Sequence, residues 1–313
     1  MRIHVTRKIP QRALDRLLAT GWDLFVGPEE IPSRSRLLWG VGGAVGLLTL
    51  LTERIDGEAM DRCPELRVIS QCATGVDNID VAEATRRGIA VCNTPGVLTE
   101  TCADFTWALM LALSRRLLEG DQMLRAGQFG GWGPLMLMGQ DLHGATLGLL
   151  GMGQIAQAVA RRAQGFGMKV LYWSRSQREG GRRCHDLAEL LGQSDLVSVH
   201  LPLSPDTRHL LNSSRLAQMK KGALLINTSR GPVVDELALA RALQSGHLGG
   251  AALDVFEEEP RVHPELLQSP NTLLTPHIAS ASLATRERMA LLAVDNLVAV
   301  LRNEVPPHQV NLA

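Results

Sequence analysis

Short apolar runs recur along the chain, and stretches of helical period separate them. In the first third, residues 3–5, 23–26, 44–48, 67–70 and 89–92 read as strands. Helices are expected at 11–19, 56–62 and 81–87, the last two stopped by Cys63-Pro64 and by Gly88. A long helix is expected over 99–118, with a further helical stretch to 126. Beyond it the alternation resumes. Strands at 147–150, 169–173, 195–200, 223–228, 249–255 and 272–275 are interleaved with helices at 186–191, 213–219 and 235–245. A long helix over 282–301 closes the pattern. Strands that alternate with helices imply parallel sheets covered on both faces.

One junction carries more information than the rest. The run Leu147 to Leu150 ends in Gly151-Met152-Gly153, and an alanine-rich helical pattern begins at once with Gln154 and Ile155. The turn reads G-x-G-x-x-A across Gly151, Gly153 and Ala156. Gly151 permits a tight turn, Gly153 lets a pyrophosphate approach the backbone, and Ala156 stands where a small residue packs helix on strand. The helix start offers free N–H groups and the positive end of its dipole to phosphates. A second strand follows, so the unit is β-α-β and reads as dinucleotide-binding. The fold class expected is α/β, with two doubly wound parallel-sheet domains. A Rossmann-type cofactor domain, residues 99–281, is inserted in a flavodoxin-like substrate domain made of 1–98 and 282–313.

The tip of the second strand bears on which dinucleotide. An acid there would hold the ribose 2′-OH of NAD. The chain has Trp173-Ser174-Arg175-Ser176 instead. An acid would repel a 2′-phosphate, whereas serine hydroxyls and a guanidinium would bind one. NADP(H) is therefore favoured over NAD(H). The plain alternative is a solvated loop with an ordinary surface arginine.

Charged residues of three types follow successive later strands: Arg230, the acidic run Glu257 to Glu259, and His277. Each type suits reduction of a 2-keto acid. Arginine offers a planar fork to a carboxylate. Histidine exchanges a proton near neutral pH. A carboxylate beside a histidine favours its charged form. Spacing alone leaves the alternatives open: Arg230 could serve a turn, and His277 is one of nine histidines. Glu257 and Glu258 are expected to form a solvated acidic face.

Composition narrows the class further. Charges balance, 32 basic against 32 acidic in 313 residues, which argues against a general nucleic-acid or acidic-membrane binder. No apolar run approaches the roughly 20 residues of a membrane span. The opening Met1 to Val5 looks like a strand rather than a signal peptide. Five scattered cysteines without a C-x-x-C pair suggest reduced thiols, a cytoplasmic location and no metal site.

The chain resembles the D-isomer-specific 2-hydroxyacid dehydrogenase family over essentially its whole length. The resemblance rests on Thr74-Gly75-Val76-Asp77-Asn78-Ile79-Asp80, Asn93-Thr94-Pro95-Gly96-Val97 and Leu147 to Ala156. It rests also on Asn227 to Gly231 with Val233-Val234-Asp235, on Ala252 to Phe256 with Glu259-Pro260, and on Pro276 to Ser280. Within the family it is most similar to the glyoxylate/hydroxypyruvate reductases. The resemblance implies that Arg230 binds the substrate carboxylate and carbonyl oxygen, His277 is the general acid in reduction, and Glu259 supports its protonated form. It implies that Asp254 holds the nicotinamide carboxamide and that Thr74, Gly75 and Val76 offer backbone N–H groups to the carboxylate. Thr99, Thr228 and Pro202 would border the cofactor.

Residues 127–139 are glycine-rich yet apolar, with Trp132, Leu135, Met136 and Met138, and mark a candidate interface. A homodimer is expected from the resemblance. A phosphoglycerate dehydrogenase-like enzyme remains a rival, and so does a dinucleotide-sensing, non-enzymatic corepressor.

Overall fold

The computed structural model describes residues 1–311, so Leu312 and Ala313 of the expected first domain lie outside the described residues. The chain divides into two compact units, Met1–Leu98 with Ala281–Ala313, and Thr99–Ser280.

The first unit opens with β1 (Arg2–Val5), α1 (Gln11–Leu18), β2 (Asp23–Val26), α2 (Arg34–Val41) and β3 (Gly46–Thr49). It continues with α3 (Gly57–Asp61), β4 (Val68–Gln71), α4 (Val81–Arg86) and β5 (Ala90–Cys92). Capping explains several helix starts: Asp56 accepts from the Ala59 N–H and Asp80 from the Glu83 N–H. The strands pair in parallel in the order β2-β1-β3-β4-β5, the flavodoxin-like order. Leu47, Ile69 and Val91 share one core with Ile55, Met60 and Ala84.

The second unit begins with α5 (Thr99–Ser114) and α6 (Leu117–Arg125). The helix expected over 99–118 thus breaks near its end. Arg116 takes a left-handed φ of 52° and starts a new helix, with its guanidinium on Glu119 at 2.5 Å. Then come β6 (Thr146–Leu150), α7 (Gln154–Ala163), β7 (Lys169–Trp173), β8 (Arg182–Cys184), α8 (Leu187–Gln193) and β9 (Leu196–Val199). The unit ends with α9 (Ser213–Leu216), β10 (Leu224–Asn227), α10 (Glu236–Gln244), β11 (Gly250–Leu253), α11 (Pro264–Leu267) and β12 (Thr272–Leu274). All seven strands are parallel, in the order β12-β11-β10-β9-β6-β7-β8.

That order reverses direction between β6 and β9, which is where open sheets of this kind place their ligands. Each face of the sheet has its own core. Leu147 and Leu149 pack with Trp107, Ala156 and Ala160, whereas Leu150 packs with Leu187, Leu190 and Leu239. The strands are therefore buried on both sides, and this is why they read as unbroken apolar runs. Three elements were not anticipated: α2, β8 and α11. The last helix, α12 (Leu283–Leu301), belongs to the first unit. Ser282 caps it, and its Ala293 carbonyl accepts from the Ser70 hydroxyl on β4.

Candidate active site

The turn after β6 is built as its glycines require. Gly151 has φ +94°, and a side chain there would meet the His200 carbonyl oxygen at 2.5 Å. Gly153 caps α7 with no atom within 4 Å of where a side chain would start. The free first-turn N–H groups of α7, those of Gln154 and Ile155 among them, open onto that space. A pyrophosphate fits there. The Thr99 hydroxyl donates to Gln154 at 3.4 Å, and the Thr228 hydroxyl shares a hydrogen bond with Thr106 at 3.0 Å. Ala156 is fully buried. Pro202 is exposed, and its carbonyl accepts from Thr207.

At the tip of β7 no acid is present. Ser174 is half-buried, and its hydroxyl donates to the Ser176 carbonyl at 3.0 Å. Arg175 and Ser176 are exposed. The Tyr172 hydroxyl donates to the Arg178 carbonyl at 2.7 Å and accepts from the Arg178 N–H at 2.8 Å.

The loops after β10, β11 and β12 bring Arg230, Glu259 and His277 together. His277 Nδ1 hydrogen-bonds Glu259 Oε2 at 2.9 Å, with side chains 29% and 31% exposed. Burial would raise the Glu259 pKa. The hydrogen bond and charge of His277, the Phe256 N–H and the Arg230 charge outweigh it and hold the carboxyl below its usual range. Arg230 is half-buried, and its guanidinium donates to the Ser229 carbonyl at 2.8 Å. Asn227 fixes the turn beneath it, donating to the Arg230 carbonyl and accepting from the Ser229 N–H and hydroxyl.

His277 itself has φ +54°, a left-handed conformation that costs energy in a non-glycine residue. Asp254 holds it there. This side chain is fully buried and accepts from Thr275 Oγ1 (2.7 Å), Ile278 N–H (2.8 Å) and Ala279 N–H (2.8 Å). The His277 N–H donates to the Asp254 carbonyl at 2.9 Å. With Arg230, His277 and a supporting carboxylate beyond the carboxyl ends of a dinucleotide sheet, the comparison with known proteins is direct. The model of the D-isomer specific 2-hydroxyacid dehydrogenase NAD binding domain matches residues 107–279. The chain belongs to the D-isomer-specific 2-hydroxyacid dehydrogenase family.

A glyoxylate reductase of Korarchaeum cryptofilum is 47% identical over 99% of this chain and 96% of its own length. A Thermus thermophilus protein of known crystal structure superposes with a TM-score of 0.95 at 49% identity, covering 99% of this chain and 100% of its own. An NADPH-dependent glyoxylate/hydroxypyruvate reductase from Sinorhizobium meliloti, solved with NADP and malonate, gives a TM-score of 0.88 at 36% identity. It covers 99% of this chain and 96% of that one.

Two glutamates of this dehydrogenase have a role that the sequence did not show. Glu257, expected in a solvated face, is instead tied down. Its Oε2 hydrogen-bonds His209 at 2.6 Å, and its Oε1 accepts from the Glu236 N–H at 2.9 Å. Glu236, 4% exposed, returns the bond by accepting from the Glu257 N–H (2.6 Å), and it also accepts from the His263 N–H (3.1 Å). Burial pushes the Glu236 carboxyl up. Gly231 lies so close to the Phe256–Glu257 peptide that no side chain could fit. The loop carrying Glu259 is thus clasped from both sides. Glu258, by contrast, is exposed and pairs with Arg261. The sequence signal for the clasp is Asp235-Glu236 at a helix start, a pattern that ordinary capping explains equally well.

In the first unit, Thr74, Gly75 and Val76 lie in the loop after β4. The Thr74 hydroxyl donates to the Thr94 carbonyl, Asn93 Nδ2 donates to the Thr74 carbonyl, and Gln71 Nε2 donates to the Gly75 carbonyl. Among the described residues no helix is long and apolar enough to cross a membrane, and all five cysteines are free and buried.

Proposed function

We propose that this chain reduces glyoxylate, and hydroxypyruvate after it, to the D-2-hydroxy acid, with NADPH preferred to NADH. The single observation that carries the reading is the hydrogen bond of Glu259 to a strained His277, with the Arg230 charge bearing on the same carboxylate.

Arg230 binds the carboxylate and carbonyl oxygen of the keto acid through its planar fork. The backbone N–H groups of Thr74, Gly75 and Val76 are assigned to the substrate carboxylate. His277 donates the proton to the carbonyl oxygen, and Glu259 orients the imidazole and stabilises its charged form. Gly151, Gly153, Gln154 and Ile155 hold the pyrophosphate. Ser174, Arg175 and Ser176 recognise the 2′-phosphate. Thr99, Pro202 and Thr228 border the cofactor, and Asp254 is assigned to the carboxamide as well as to the His277 loop. The bound nicotinamide supplies the hydride.

A homodimer in the cytoplasm completes the proposal. Trp132 is 82% exposed, Leu135 77% and Met138 62%, and α6 beside them buries no residue. An apolar surface of that kind is what a partner copy covers. A monomer in light scattering at micromolar concentration would refute it.

The test of function is loss of nicotinamide absorbance with glyoxylate, hydroxypyruvate, pyruvate and 3-phosphohydroxypyruvate, each with NADPH and with NADH. Rapid NADPH oxidation with the first two is expected. Activity with NADH alone would leave the chemistry and sink the cofactor assignment. Binding of cofactor without turnover on any acid would favour a dinucleotide sensor.

A further inference from the structure

We infer that Arg183, on strand β8, is a specificity-determining positioning residue for the cofactor's 2′-phosphate. This deepens the proposed NADPH preference and rests on it. Arg183 pairs with Tyr172 in the β7–β8 register, so it lies alongside the loop rather than in it. Its half-buried guanidinium donates from Nε and Nη2 to the Ser174 carbonyl, at 3.1 and 2.8 Å, and from Nη2 to the Arg175 carbonyl at 2.8 Å. One side chain thus binds two successive peptide carbonyls.

The consequence follows from peptide geometry. In a trans peptide the C=O and the N–H point to opposite sides. With the Ser174 and Arg175 carbonyls drawn to Arg183, the N–H groups of Arg175 and Ser176 point away from it. Among the described residues neither of these donates to any protein group, and the Arg175 guanidinium has no partner. Two adjacent free N–H groups beside a free guanidinium make an anion-binding concavity. The same anchoring keeps two carbonyl oxygens, which would repel a phosphate, turned toward a cation. The Ser174 hydroxyl, bonded to the Ser176 carbonyl, tightens the turn from within. Arg182 shows that this is particular to Arg183: its guanidinium is spent on Glu189 and Gln193 of α8.

The experiment is calorimetric binding of adenosine 2′,5′-bisphosphate and of 5′-AMP to the full chain and to Arg183→Gln, with NADPH and NADH titrated in parallel. The wild type is expected to bind the 2′,5′-bisphosphate more tightly than AMP. Arg183→Gln should lose about ten- to hundredfold of that preference, the worth of hydrogen bonds to a charged group. AMP and NADH affinity should stay unchanged, which a general loss of structure would not permit. Arg183→Lys keeps the charge but cannot hold both carbonyls, and should move in the same direction by less. It also serves if the glutamine variant does not fold. A wild type without preference for the 2′-phosphate would defeat the NADPH reading and this inference together. A wild-type preference retained in both variants would defeat the inference alone.

Discussion

Two strand ends of the same sheet are built on opposite principles. Beyond β11 and β12 the hydrogen-bonding capacity of the loops is spent internally. Asp254 takes three donors, Glu236 and Glu257 clasp each other's backbone, and His277 is held in a strained conformation against Glu259. Beyond β7 the bracing comes from below, from Arg183 and Tyr172, and the outward donors are left open. The difference matches the two tasks proposed for these ends. Proton transfer needs an acid fixed in place by its neighbours, because strain persists only where the surroundings over-determine it. Recognition of a phosphate needs donors that are aimed but unspent.

The largest break in the comparison comes from removing the acid. His277→Ala should lower kcat by about 10²–10⁴ while NADPH affinity, measured by titration, stays put. Near-normal kcat would end the assignment. Glu259→Gln comes next, with a loss of about ten- to hundredfold, since it removes a charged hydrogen-bond partner. The pH profile sharpens it. The Glu259 pKa is depressed, so its interactions are present above the ordinary carboxylate range and are lost only as pH falls through the lower, folded-state value. In the wild type, the acid limb of kcat/KM for reduction should therefore lie below the usual glutamate pKa. That limb should vanish in Glu259→Gln.

Much of this was legible in the chain, and the reasons differ by region. The α/β class was written in strands buried on both faces, whose apolar runs need no tertiary knowledge to read. The family was written in the motifs at the strand ends, among them the turn with Gly151 and Gly153. The clasp was not legible, because Glu236 and Glu257 are ordinary acids until the fold brings them together. Strand β8 has three residues, two of them arginines, and exists through pairing with β7. Helix α2 carries an exposed Trp39 and an internal Gly40 that blur its period, although Ser33 caps it. The break at Arg116 has no glycine or proline to announce it.

The clasp gives a third test, smaller than the loss of either dyad member. Glu236→Ala leaves the N–H groups of Glu257 and His263 without their acceptor. Each unpaired group costs about 1–3 kcal/mol where water does not replace the bond. Thermal or urea unfolding should register that loss. In kinetics kcat should fall while the KM for NADPH stays unchanged, because the loop that drifts carries Glu259 and not the proposed phosphate donors. A variant that lost stability at unchanged kcat would show the clasp to be structural only.

The smallest expected effect lies at the other strand end and tests the contrast from that side. Tyr172→Phe keeps the buried ring and removes only the hydroxyl that holds Arg178 through both its N–H and its carbonyl. Arg178 is exposed, so water takes up the freed groups and the stability cost is about 0.5–1.5 kcal/mol. The Ser174 and Arg175 carbonyls remain on Arg183, so the N–H groups beyond them keep their aim. The KM for NADPH should rise by less than about tenfold, the equivalent of 1.4 kcal/mol, with kcat and the KM for NADH unchanged. A fall in kcat instead would mean that the two strand ends are not separable. The recognition loop would then be part of the machinery that positions His277.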